Sequence, residues 1–198
     1  MKNIAVLVSG GGTNLQALID VDIPNGKISL VISSKADAYA LTRAENNNIK
    51  TAVVEWTDFK PSRKDFSMEI LNLLREHEID LVIYAGFMVI LDECVVKAFP
   101  NKMINVHPSL LPSFGGEGFY GLKVHEAALN RGVKLSGATV HFVNEICDGG
   151  EIILQKAAEV KDSDTPETLQ ARIMEVEREI LPKAVKLLIE RASKFENK

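Results

Sequence analysis

Cysteine is nearly missing from this chain: 198 residues contain two, Cys94 and Cys147. Their spacing fits neither a metal-ligand set nor a redox pair, which argues against a disulfide framework or a structural zinc and agrees with a reducing compartment. Long apolar runs are missing too. Every such stretch is broken by charge or glycine well short of the roughly 20 residues that span a bilayer. Met1 to Val8 passes straight into Gly10, Gly11 and Gly12, too short and wrongly flanked for a secretory leader. Nor is there an excess of basic residues: 23 Lys and Arg against 27 Asp and Glu leave a formal charge of −4. With both signs interspersed, DNA or another polyanion is not the expected main partner. Repeats and low-complexity segments are absent. The expectation is a cytoplasmic protein that acts on small molecules, without nucleic acid, membrane or metal.

Apolar material, in contrast, is ample: 46% of the residues are hydrophobic, enough for one sizeable core. The chain alternates short β-branched runs with helical patterns, as parallel βαβ units do. Ile4 to Val8 is a continuous apolar run, expected of a strand covered on both faces, and Leu15, Leu18 and Ile19 follow at helical spacing. Ile28 to Ile32 reads as a second strand, Ala36 to Asn48 as a helix with Ala40, Leu41 and Ala44 inward, and Thr51 to Val54 as an outer strand. Pro61 suits the first turn of a helix whose Phe66, Ile70, Leu73 and Leu74 share a face. Strands at Leu81 to Ala85 and Met103 to His107 flank a short helix at Leu91 to Ala98.

Beyond Pro112 the pattern changes. A glycine-rich segment, Ser113 to Gly121, is followed by a helix near Leu122 to Asn130 and two long strands, Leu135 to Val143 and Glu151 to Val160, expected to be antiparallel. Thr165, Pro166 and Glu167 open a last helix buried through Leu169, Ile173, Val176 and Ile180, with a kink or restart expected at Pro182. The fold class is therefore α/β: a Rossmann-like parallel sheet in the N-terminal part, extended by antiparallel strands and a long C-terminal helix. Residues 1–198 read as one domain with lobes 1–112 and 113–198, because no linker-like composition divides them.

Two stretches carry chemistry. Asn105 and His107 end an apolar run before Pro108, which puts an amide and an imidazole at the carboxyl end of a strand, where open α/β sheets bind ligands. Two positions apart in a strand, they leave the same face. Among the four histidines His107 alone has this setting; His77 reads as a surface residue, and His125 and His141 as ordinary members of a helix and a strand. Asp148 lies in a connection, Asn144 to Gly150, too long for a two-residue hairpin, and is a candidate carboxylate partner. A carboxylate beside an imidazole fixes its tautomer and favours its protonated form, and an amide donates to a developing oxyanion. The three fit acyl transfer without a covalent enzyme intermediate. Cys147 has no activating neighbour in sequence and reads as incidental.

The second stretch is Ser9 to Asn14, between the first strand and the first helix, where backbone N–H groups can hold a phosphate. A merely tight turn explains its glycines equally well. Gly10 and Gly12 open a dinucleotide fingerprint, but Leu15 replaces the third glycine and no carboxylate ends the second strand, so NAD is not expected. No P-loop lysine follows either, which disfavours ATP or GTP hydrolysis. A small phosphorylated substrate is the better reading.

The runs SGGGTNLQALI at Ser9 to Ile19, AGFMVIL at Ala85 to Leu91, NVHPSLLP at Asn105 to Pro112 and HFVNEICDGGEIILQ at His141 to Gln155 carry a resemblance. Over essentially its full length the chain resembles the phosphoribosylglycinamide formyltransferases, within the wider superfamily of 10-formyltetrahydrofolate transferases and hydrolases. The resemblance implies direct attack of the glycinamide amine of 5'-phosphoribosylglycinamide on the formyl group of N10-formyltetrahydrofolate, a co-substrate, in de novo purine biosynthesis. It implies that Asn105 stabilises the oxyanion, that His107 assists the proton changes, and that Asp148 orients and polarises His107, directly or through water. It assigns the substrate phosphate to Gly10, Gly11, Gly12, Thr13 and Asn14, and the ribose to Glu177. The pterin pocket is assigned to Met88, Val89, Ile90 and Leu91, with Val143, Asn144, Glu145, Ile146, Cys147 and Asp148. The chain departs from the pattern at Gly115 to Tyr120, longer and richer in glycine than in many relatives. It departs also at Val89 and Met174, where some members carry arginine and a polar residue. The alternatives are a hydrolase that uses water in place of the amine and a non-catalytic nucleotide-binding module.

Overall fold

The apolar run near the N-terminus becomes the middle of a sheet because neither of its faces meets solvent: Ile4, Ala5, Val6, Leu7 and Val8 are all 0% exposed. The computed structural model describes residues 1–196, and side chains through Arg191. The last two residues of the expected 1–198 domain lie outside the described residues. The central strand, β1 (Lys2–Val8), leads into a short helix, α1 (Thr13–Ile19). Then come β2 (Gly26–Ser33), α2 (Tyr39–Asn46), β3 (Lys50–Val53), α3 (Trp56–Phe59), α4 (Arg63–Glu76), β4 (Leu81–Tyr84), α5 (Glu93–Ala98) and β5 (Met103–His107). The remainder supplies α6 (Leu122–Arg131), β6 (Leu135–Phe142), β7 (Ile152–Glu159) and α7 (Pro166–Glu196).

The strands form one seven-stranded sheet in the order β3-β2-β1-β4-β5-β6-β7. Strands β1 to β5 are parallel, and β6 and β7 join as antiparallel neighbours. This is the α/β architecture expected, with its antiparallel extension and long last helix. From β1 the chain moves outward through β2 and β3, then returns to build β4 and β5 on the other side. The strand order thus reverses between β1 and β4, and in open parallel sheets ligands bind at such a switch, beyond the carboxyl ends of the strands. The glycine turn follows β1, the segment around Met88 follows β4, and Asn105 and His107 end β5.

Alternation along the strands feeds two cores. Ile4, Val6 and Val8 pack with Val31, Ile83, Ile104 and Val106 on the face that carries α1 and α7. Ala5 and Leu7 pack with Leu30, Ile32 and Val82 on the face that carries α4 and α5. Helices on both faces are what near-continuous apolar strands need to leave water completely.

Three local readings change. Pro61 precedes the fourth helix rather than opening it. The N-cap is Ser62, whose Oγ accepts from the Asp65 N–H at 3.2 Å, and the short α3, which has no periodic signal, fills the approach. Helix α2 begins later than Ala36, with extended Ala38 at its N-cap. Finally, α7 does not restart at Pro182 but continues through it. Leu181, Ala184, Val185 and Ile189 are buried around and beyond the proline and prolong the stripe of Leu169, Ile173, Val176 and Ile180. At about 1.5 to 3 kcal/mol for each large aliphatic buried, that packing exceeds the roughly 3 kcal/mol a proline costs inside a helix. Thr165 caps the helix as expected, its Oγ1 accepting from the Thr168 N–H at 3.3 Å.

Candidate active site

Strand β5 is apolar until its end. Ile104 and Val106 enter the core beneath α7, and Asn105 and His107, on the other parity, project from the opposite face. Asp148 reaches both from the connection between β6 and β7. The Asn105 Nδ2 donates to Asp148 Oδ1 at 3.4 Å, and His107 Nδ1 lies 3.4 Å from Asp148 Oδ2. The approach to His107 is direct. Tight folding of the connection holds Asp148 in place: its own φ is 53°, the Gly149 N–H donates to the Ile146 carbonyl at 3.0 Å, and a Cβ on Gly150 would strike the Phe142 carbonyl. The glycine-rich segment after Pro112 closes the cluster from its far side, where the Gly116 N–H donates to Asp148 Oδ2 at 2.9 Å.

His141 belongs to the same cluster, against its reading as an ordinary strand residue. It pairs with Asn105 across the β5–β6 ladder, so the two side chains share a face. Its Nε2 lies 3.2 Å from Asn105 Nδ2 and 3.5 Å from Asp148 Oδ1. An amide nitrogen only donates, so Nε2 is the acceptor and the ring proton sits on Nδ1, which donates to the Phe142 carbonyl at 2.8 Å. The HFVNEICDGG run contains both His141 and Asp148, but the register that sets His141 opposite Asn105 is a tertiary fact.

His107 is 4% exposed. Its Nε2–H donates to the Phe114 carbonyl at 2.8 Å, while Nδ1 faces the Asp148 carboxylate. Only an imidazolium satisfies both acceptors at once. Burial opposes that charge and pushes the His107 pKa below its ordinary value, with Asp148 and the Phe114 carbonyl pulling it back only in part. The carboxylate does favour the protonated form, as expected, but desolvation outweighs it and the net shift is downward. For Asp148 burial acts upward, but the neighbouring His141 and His107 rings and the Gly116 N–H together outweigh it and hold the carboxyl below its ordinary range. Burial, with Asp148 adding to it, raises the Cys147 thiol to about 11, which agrees with an inert side chain.

At the glycine turn, Gly12 has φ 71°, and a Cβ there would meet Ala40 Cβ at 2.6 Å, whereas Gly10 and Gly11 face open space. Thr13 opens α1. Asn14 is buried; its Nδ2 donates to Glu177 Oε2 at 3.2 Å, and its Oδ1 has no partner among the described residues. Burial raises the Glu177 carboxyl to about 7, resisted by Asn14 and Arg178. Two residues 163 positions apart, both assigned to the nucleotide by resemblance, are therefore in contact.

Beyond β4, Met88 and Ile90 are 54% and 44% exposed, while Leu91 is buried in the second core and Val89 packs against it. Val143 packs on that core too, and Ile146 is 68% exposed. Asn144 Oδ1 accepts from the Ile146 N–H at 3.0 Å, and Glu145 is exposed. The segment thus presents two apolar side chains outward and anchors itself by two inward. Ser9 and Ser34, which sequence reasoning passed over, tie it to the glycine turn. Ser9 Oγ accepts from the Met88 N–H at 2.9 Å and shares a hydrogen bond with Ser34 Oγ at 2.7 Å.

At the carboxyl edge of the parallel strands the fold thus gathers an amide, a carboxylate and two imidazoles, groups of the kind that acyl transfer uses. Residues 2–185 match the family model described as Formyl transferase, and the chain belongs to that family. It is 42% identical over 194 residues to phosphoribosylglycinamide formyltransferase of Haemophilus influenzae, covering 96% of this chain and 88% of that protein. It is 46% identical over 188 residues to the human trifunctional purine biosynthetic protein adenosine-3, covering 93% of this chain but 18% of that much longer protein. The chloroplastic phosphoribosylglycinamide formyltransferase of Arabidopsis thaliana is 37% identical, over 98% of this chain and 68% of its own length. Among solved structures, glycinamide ribonucleotide transformylase 1 from Symbiobacterium toebii superposes with a TM-score of 0.89 at 41% identity, covering 96% of this chain and 88% of that one.

Proposed function

We propose that this formyltransferase moves a formyl group from N10-formyltetrahydrofolate to the glycinamide amine of 5'-phosphoribosylglycinamide, a step of de novo purine biosynthesis, with Asn105, His107 and Asp148 at the reacting centre. The observation that carries the reading is Asp148, brought by the β6–β7 connection against both Asn105 and His107 at the end of β5. The amine nitrogen bonds to the formyl carbon and the carbonyl electron pair moves to oxygen. Asn105 donates to that oxyanion in exchange for its long bond to Asp148. The attacking nitrogen gives up one proton, taken by the neutral His107, whose imidazolium Asp148 stabilises. Collapse breaks the bond to N10, which takes the proton back from the His107 imidazolium, and tetrahydrofolate leaves.

The phosphate is held by Gly10, Gly11, Gly12, Thr13 and Asn14, and the ribose by Glu177. The pterin lies against Met88, Val89, Ile90, Leu91 and the residues Val143 to Asp148. Lobe 1–112 thus supplies the phosphate subsite, and lobe 113–198 completes the folate and catalytic site. The substrates are small molecules, the setting is cytoplasmic, and no step calls for a metal, a nucleic acid or a membrane. One assay tests the reading: tetrahydrofolate release from 10-formyltetrahydrofolate, with and without 5'-phosphoribosylglycinamide. Amine-dependent release is expected. Release without the amine makes the protein a hydrolase, and no release under either condition makes it a binding module.

A further inference from the structure

The glycine turn is anchored from outside itself. The Ala40 N–H donates to the Gly10 carbonyl at 3.0 Å, and Arg43 Nε donates to the Gly11 carbonyl at 2.8 Å; both donors come from α2. A trans peptide holds its carbonyl and its N–H on opposite sides. Pinning the Gly10 carbonyl toward α2 therefore turns the Gly11 N–H away from α2, and pinning the Gly11 carbonyl does the same for the Gly12 N–H. Neither N–H donates to another of the described residues, and successive free N–H groups on one side of a turn form a concave seat for an anion.

Arg43 is itself fixed. Its Nη1 donates to Gln16 Oε1 at 3.0 Å, and its guanidinium lies over the Tyr39 ring, 5.0 Å from the centroid. The turn from Ser9 to Asn14 contains no lysine or arginine of its own; the cation bonded to it is Arg43.

We infer that Arg43 is a positioning residue for the substrate phosphate, shaping the glycine turn through the Gly11 carbonyl and setting a fixed positive charge behind it. The inference rests on the proposed reading of the turn as the phosphate subsite and adds what gives that subsite its shape. Lysine is a partial substitute: it carries the charge on a single nitrogen and cannot span Gly11, Gln16 and the Tyr39 face as a planar fork does.

The test compares kcat/KM for 5'-phosphoribosylglycinamide with kcat/KM for its dephosphorylated riboside in wild type, Arg43→Met and Arg43→Lys. In Arg43→Met the preference for the phosphorylated substrate is expected to fall about tenfold, through KM rather than kcat, the scale of one charge-assisted hydrogen bond. Arg43→Lys is expected to recover part of it. A preference undiminished in Arg43→Met, or a loss shared equally by both substrates, overturns the role of Arg43. A wild-type enzyme with no preference for the phosphorylated substrate instead sinks the phosphate reading of the turn. Should Arg43→Met fold poorly, inorganic phosphate titrated against the backbone amide NMR signals of Gly11 and Gly12 decides between wild type and Arg43→Lys. Weaker phosphate binding in the variant supports the inference, and equal affinity overturns it.

Discussion

His141 and Asn105 face each other across the β5–β6 ladder, with the imidazole Nε2 3.2 Å from the amide Nδ2. The pairing decides which way the amide points, because His141 and the Asp148 carboxylate are both acceptors and both demand the NH2 end. Both amide hydrogens are therefore engaged, and the longer bond, 3.4 Å to Asp148, is the one a substrate oxygen can replace. His141→Leu removes the acceptor and frees the amide to rotate. Turnover is expected to fall by about 1 to 2 kcal/mol of transition-state stabilisation, with a native circular dichroism spectrum and little change in the folate KM. Turnover equal to wild type would take His141 out of this supporting role.

Removing the amide itself costs more. Asn105→Ala is expected to lower kcat by about 2.7 to 4 kcal/mol in barrier terms, the range for a lost oxyanion donor. Single-turnover rates at saturating substrates check it. A rise in KM alone would make Asn105 a binding residue.

Much of this arrangement is legible in the chain and some is not, for a common reason. The continuous apolar run of Ile4 to Val8 and the placing of Asn105 and His107 on one face follow from local sequence and strand geometry, and both are readable. The connection that carries Asp148 stands out by its length, since Asn144 to Gly150 is too long for a two-residue hairpin. His141 escaped because its meaning depends on the β5–β6 register, Ser9 because its partners Ser34 and Met88 lie 25 and 79 positions away, and Arg43 because its acceptor is a backbone carbonyl in another element. Pro182 misled in the other direction. A local helix breaker was overruled by burial along the rest of α7, which only the packing reveals.

Asp148 should control the titration of His107. The carboxylate is the leading influence that raises the His107 pKa, against burial, which lowers it. Asp148→Asn removes that influence, so His107 should titrate still further below its ordinary value, and the acid limb of the activity profile should move to lower pH on a much lower plateau. NMR titration of the His107 ring measures the shift. A ring that titrates unchanged or higher in the variant would show that Asp148 shapes the loop and does not couple to the imidazole.

The turn glycines should separate by role. At Gly12 a side chain is disfavoured by φ 71° and by Ala40 Cβ at 2.6 Å, so Gly12→Ala should lower the melting temperature, at a cost of about 1 to 3 kcal/mol. A bulkier residue there would disturb the fold before it reported on substrate. At Gly11 an added Cβ meets nothing within 4 Å, so Gly11→Ala should keep its stability and raise KM for the nucleotide. Thermal melts alongside kinetics on both variants check the contrast, and equal loss of stability in the two would erase it.

Glu177 should make stability and function respond in opposite directions. Burial raises its carboxyl from 4.5 to about 7 in the folded protein, so between those values the folded state holds a proton that the unfolded state has released. Stability therefore falls as pH rises through that window, and above it the penalty is complete, on the order of 3 kcal/mol from the size of the shift. Glu177→Gln is neutral in both states and escapes the penalty. Its stability advantage over wild type should be near zero at pH 4.5, grow up to about pH 7 and then level off. The same change replaces a carboxylate proposed to accept from the ribose hydroxyls, so KM for the nucleotide should rise. Chemical denaturation at a series of pH values, paired with kinetics at pH 8, tests both halves. A stability difference that does not vary with pH would mean that Glu177 is not the group whose burial is resisted.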